Sequence, residues 1–84
     1  MPTVLRQAAF DFMVYTHDHL PAHVHIWKGG NELIVNLGDD AASAAVRENN
    51  GMSRAEAKRA WQIVVAQRDF LLEEWRSIHG NEEA

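Results

Sequence analysis

The apolar residues of this chain change period near Gly38, and that change limits the fold more than any other feature of the sequence. Ahead of it, apolar and polar residues alternate and β-branched types are frequent, as in strands that bury one face. Beyond it, Ala, Glu, Arg and Leu recur at spacings of three and four, as along one face of a helix. Strands gathered before helices, rather than alternating with them, predict an α+β fold built on a small antiparallel sheet. The 84 residues, 46% of them hydrophobic, suffice for one core. A single domain is expected over 1–80, followed by a disordered tail over 81–84.

Residues 3–6 and 10–15 read as the first two strands, the second carrying Phe10, Phe12 and Val14 on one face. Gln7-Ala8-Ala9 between them is a poor turn signal. Gly29-Gly30 is a strong one, because a two-residue hairpin turn needs positive φ angles that glycine adopts freely. It sets the register of strands 23–28 and 31–37, with Lys28 against Asn31, Ile26 against Leu33 and Val24 against Val35. Those apolar pairs form a core face. His23, His25 and Trp27 then oppose Asn36, Ile34 and Glu32 on the other face, which reads as a site.

After the sheet of three or four strands, Asp40 can cap a short helix over 41–49, ended by Gly51. Ser53-Arg54-Ala55-Glu56 matches a capping box and starts a long helix over 54–79, stopped at Gly80. Ala57, Ala60, Trp61, Val64, Val65, Arg68, Leu71, Leu72, Trp75 and Ile78 make its apolar stripe, with Trp61 and Trp75 as core anchors. At 1.5 Å per residue this helix is roughly 39 Å long, nearly twice a six-residue strand. Its end is expected to overhang the sheet and meet a second chain, in a homo-oligomer or a hetero-complex.

Composition narrows the setting. There is no cysteine, so neither a disulfide nor a thiolate metal site can supplement a small core. The start MPTVLRQAAF holds no apolar run of signal-peptide length, and no stretch approaches a membrane span of about 18 residues. A cytoplasmic protein without a membrane partner is expected. The net charge of −4 argues against a broad nucleic-acid surface, which gathers Lys and Arg.

Four of the five histidines fall within nine residues, H-D-H-L-P-A-H-V-H over 17–25. On a strand, His23 and His25 point the same way and can converge on one atom. A loop turned at Pro21 can bring His19 over them, with Asp18 or Glu32 orienting an imidazole. Three readings follow. His19, His23 and His25 can ligate a divalent metal such as zinc, leaving one coordination position open. His19 and His25 can act as an acid–base pair without metal. Or the rings can simply pack on Trp27 and satisfy backbone groups. His17 reads as an exposed loop residue, and His79 as an incidental helix-end residue favoured by the helix dipole.

The start MPTVLR, an aromatic strand ending in Tyr15, the run D-H-L-P-A-H-V-H, then N-G-M-S and a helix bearing L-L-E-E-W resemble bacterial domain-of-unknown-function family number 4160 over nearly the whole chain. The most specific portion is D-H-x-P-x-H-x-H, carried by Asp18, His19, Pro21, His23 and His25. Ala22 stands where the family commonly has a second proline. The resemblance implies a toxin-like small protein acting on RNA and held by an antitoxin protein encoded nearby. Asp18, His19, His23 and His25 would then be its catalytic residues, with Asp18 orienting His19. The alternative is a non-catalytic module that binds a metal or a partner.

Overall fold

A computed structural model of the chain describes residues 3–80. The tail expected to be disordered, 81–84, lies outside the described residues. Five strands, β1 (Thr3–Gln7), β2 (Phe10–Met13), β3 (His23–Lys28), β4 (Asn31–Asn36) and β5 (Ala45–Asn50), precede two helices, α1 (Arg54–Ala66) and α2 (Arg68–His79). The strands form one antiparallel meander in the order β1-β2-β3-β4-β5. The α+β class is therefore as expected.

The β3–β4 register follows the Gly29-Gly30 turn as read from the sequence, with Lys28 against Asn31, Ile26 against Leu33 and Val24 against Val35. Both glycines have positive φ, +57° and +82°. One sheet face then carries Phe10, Phe12, Val14, Val24, Ile26, Leu33, Val35 and Leu37, all fully buried. The helices close this core with Ala60, Ile63, Val64, Leu71 and Trp75. Trp61, expected as a second anchor, only packs against the rim of the core and donates Nε1–H to the Ala44 carbonyl at 2.7 Å.

Two expectations are corrected. The sheet has five strands rather than three or four, because the segment read as a short helix over 41–49 becomes a 3₁₀ turn at Ala41–Ser43 followed by β5. Asp40 does cap, accepting the Ser43 N–H at 3.0 Å, but it caps a single turn. Asn49 and Asn50 are poor helix formers, and β4 otherwise presents an unpaired row of N–H and C=O groups. Pairing that edge outweighs the local helical propensity of the alanines. Gly51, at φ +101°, turns the chain from β5 towards α1, and a side chain there would collide with Asn31.

The single long helix is likewise two. It starts at the expected capping box, where Ser53 Oγ accepts the Glu56 N–H at 3.1 Å and Glu56 Oε1 accepts the Ser53 N–H at 3.2 Å. It breaks at Gln67. The molecule's greatest extent is 35 Å, shorter than the roughly 39 Å of one straight helix. Arg68, just past the break, is buried and donates from Nε to the Leu37 carbonyl and from Nη2 to the Gly38 carbonyl, at 3.1 and 2.6 Å. This clamp to the end of β4 holds α2 on the core and removes the overhang expected to meet a second chain. Among the described residues, no helix is long and apolar enough to cross a membrane.

The weak turn signal between β1 and β2 has a physical counterpart. Gln7 pairs with Phe10, so Ala8 and Ala9 form a two-residue turn, and both have positive φ, +55° and +68°. Left-handed backbone costs a residue with a Cβ about 1–2 kcal/mol. Asn-Gly, the pair best suited to such a turn, replaces this strain with favourable geometry. The double substitution Ala8→Asn with Ala9→Gly is expected to stabilise the protein by about 1 kcal/mol, a Tm rise of roughly 4–8 °C. Thermal unfolding followed by circular dichroism measures this, and an unchanged Tm would show the turn to be unstrained.

Candidate metal centre

The site lies where the β2–β3 loop meets the face of β3 that points away from the core. Strand alternation puts His23 and His25 on that face, opposite Asn36 and Ile34. Their side chains are 6% and 13% exposed, although neither belongs to the apolar core. Trp75 of α2 lies against the His23 ring at 5.3 Å, and Tyr15 covers His25 at 4.6 Å. Tyr15 is itself positioned by Trp27, whose Nε1–H donates to its hydroxyl at 3.0 Å.

Asp18 reaches the histidines through a tight turn. Its N–H donates to the Tyr15 carbonyl at 3.1 Å, and its Oδ2 accepts the Tyr15 N–H at 3.0 Å. Oδ1 is thereby aimed at both rings, 3.1 Å from His25 Nε2 and 3.5 Å from His23 Nε2. One ligand atom from each of Asp18, His23 and His25 lies within 4.8 Å of the other two. Burial alone would raise the Asp18 carboxyl. The Tyr15 N–H and the imidazoles of His25 and His23 outweigh it and hold the group below its ordinary value of 3.8.

The far nitrogen of each ring also has a partner. His23 Nδ1 lies 2.8 Å from the Pro21 carbonyl, which can only accept, so Nδ1 carries the hydrogen. His25 Nδ1 lies 2.7 Å from Glu32 Oε2, a carboxylate that likewise accepts. With both Nδ1 atoms donating, each Nε2 meets Asp18 either as the N–H of a protonated ring, the form that lowers the carboxyl, or as a lone pair open to a metal cation. Two lone pairs and a carboxylate cannot face each other unless a proton or a metal cation lies between them.

The site residues read from the sequence are thus divided. His23, His25 and Asp18 come together. Asp18 faces His25 and His23 rather than orienting His19, and Glu32 holds His25. His19 is exposed and stands outside the group, as does His17. His79 is more than an incidental helix end, since its ring lies 3.0 Å from both the Trp75 and the Tyr15 carbonyls and stacks on Trp75 at 3.9 Å. It ties the end of α2 to the turn that aims Asp18. Sequence spacing gives no sign of that contact, which joins residues 64 positions apart.

The depressed Asp18 carboxyl carries a signed consequence. Because its folded value lies below its unfolded one, ionised Asp18 stabilises the fold above the unfolded value, about 3.9. That contribution is lost as pH falls through the folded value. Asp18→Asn is therefore expected to lower Tm at pH 7. The deficit should shrink below about pH 4 and vanish once Asp18 is protonated in both states. Melting curves from pH 7 to pH 2 check this, and a deficit constant across the range would assign the loss to packing.

No curated protein and no solved structure matches the chain. A family model described as Domain of unknown function (DUF4160) matches residues 10–76, a span that holds Asp18, His23, His25 and Glu32. The match runs from β2 into α2 and covers well over half of the chain, which therefore belongs to that family.

Proposed function

We propose that this chain binds a divalent first-row transition ion, zinc or iron(II), through Asp18, His23 and His25. One observation carries the reading: both Nδ1 atoms are occupied by second partners, so both Nε2 atoms converge on Asp18 Oδ1. Metal-ligating histidines characteristically donate their other N–H to a carbonyl or carboxylate, which fixes tautomer and ring orientation. Pro21 and Glu32 are such partners here. Metal–ligand bonds of about 2.0–2.1 Å at tetrahedral angles separate neighbouring ligand atoms by roughly 3.3 Å. The two distances to Asp18 Oδ1, 3.1 and 3.5 Å, bracket that value.

Three protein ligands leave a coordination position for water, the arrangement of catalytic rather than structural zinc, and two histidines with one carboxylate also suit non-haem iron. The ligand side chains are 6–13% exposed, so an ion or a small molecule can reach them but a nucleic-acid strand meets only the rim. Two cavities of about 460 and 350 Å³ are lined by other residues. An RNA-directed toxin held by an antitoxin in the cytoplasm is a second reading. It draws on the family resemblance and on one residue, exposed His19 next to ligand Asp18. Growth arrest on expression, lost in His19→Gln, would favour it; no arrest would remove it.

Untagged protein purified without chelators should carry close to one metal ion per chain by elemental analysis. Asp18→Asn, His23→Gln and His25→Gln should each lose it, and His19→Gln should keep it. Metal at 100 times its Kd stabilises by about 2.7 kcal/mol, so a chelator should lower the Tm of the native protein but not of His25→Gln. Metal-free protein whose Tm ignores added zinc, iron(II) and chelator would refute the reading.

A further inference from the structure

Asn36 ends β4 on the face that carries the histidines. It pairs directly with His23 on β3, and on its other side with Ala45 on β5. Among the described residues, its Oδ1 is buried and has no hydrogen-bond partner, and it is the only buried side-chain nitrogen or oxygen of which this is true. An unsatisfied buried acceptor destabilises a fold, and an apolar side chain of similar shape removes the penalty. β4 already carries such a side chain at Ile34, two residues earlier on the same face. Packing therefore does not account for an amide at position 36.

We propose that Asn36 Oδ1 accepts a hydrogen bond from a water bound at the open position of the metal centre, which makes Asn36 a positioning residue of that centre. The inference rests on the metal reading of Asp18, His23 and His25 and deepens it. A group needing a donor stands directly across the strand pair from ligand His23, with Cβ atoms about 4.5–5.5 Å apart. A metal-bound water is a donor at that site. Asn36 is better placed as an acceptor than as a fourth ligand. A neutral amide oxygen suits hard ions such as calcium and magnesium, whereas two imidazoles select transition ions. A water bound there would have one of its hydrogens directed at Asn36, which would help orient it as a nucleophile.

Cobalt(II) is the probe, because its visible spectrum reports coordination number and bound water. Wild type, His23→Gln, Asn36→Leu, Asn36→Ala and Asn36→Asp are titrated against a competing chelator, and the Tm of each metal-free protein is recorded. Asn36→Leu should melt higher than wild type without metal, yet bind cobalt(II) roughly 10- to 100-fold more weakly and with an altered spectrum. Asn36→Asp, which keeps an acceptor oxygen, should recover the affinity. A merely structural Asn36 would show the reverse, a lower Tm without metal and unchanged binding. If Asn36→Leu does not fold, Asn36→Ala gives the same reading of affinity and spectrum. Wild-type affinity and spectrum in both variants, with binding lost in His23→Gln, would overturn the role of Asn36 and leave the metal centre standing. Wild type no tighter than His23→Gln would overturn both.

Discussion

Two glycines at positive φ close the β3–β4 hairpin so that Lys28 faces Asn31, and the division of the molecule into core and site follows from that closure. Strand side chains alternate with a period of two, so a slip of one residue would turn Val24 and Ile26 outward and send His23 and His25 into the core. The cost of burying those imidazoles among Phe12, Leu33 and Val35 makes the register effectively unique. β2 pairs with β3 and inherits its two faces, while β5 pairs along β4 with every residue exposed. The helices pack on the apolar face, and the end of α2 also reaches the other through Trp75 and His79.

On the other face, polar groups are withdrawn from water in a way that a small domain can tolerate only if each finds a partner. Glu32 meets His25, and Asp18 meets His25 and His23 while holding the Tyr15 N–H. Tyr15, Trp27 and Trp75 screen these contacts from solvent, which strengthens the attractions and makes any unpaired group more expensive. Asn36 is the exception, and its place opposite His23 makes the exception local to the site. The site therefore depends on tertiary packing although its ligands are local in sequence. The end of α2 reaches it through Trp75 and His79, and α2 is held in place by the Arg68 clamp on Leu37 and Gly38.

Much of this was legible from residue order. The hairpin register, the burial of Phe10, Phe12 and Val14 together, and the capping box at Ser53 are local patterns. In each, the residues that interact are a few positions apart, or their pairing is imposed by a tight turn. The convergence of His23 and His25 is of the same kind. The segment 41–50 reads as a helix because its alanines, Arg47 and Glu48 are good helix formers, whereas its strand character comes from the open edge of β4, which the segment does not itself contain. The break at Gln67 was invisible for a similar reason. Neither proline nor glycine marks it, and it follows from the size of the core and from carbonyls at the end of β4.

Alone, then, the sequence determined which side chains would lie on the site face, because alternation along a strand is a property of the backbone. Which of them would meet was decided by the tertiary structure. The loop after β2 folds so that Asp18 rather than His19 turns inward, since the Asp18 carboxylate can accept the Tyr15 N–H and close the turn on itself. His19, next to it in the chain, points to solvent. Neighbouring positions in a loop have no fixed relation of direction until hydrogen bonds choose one. Here the choice came from the Tyr15 peptide, which α2 grips from the far end of the sequence through His79.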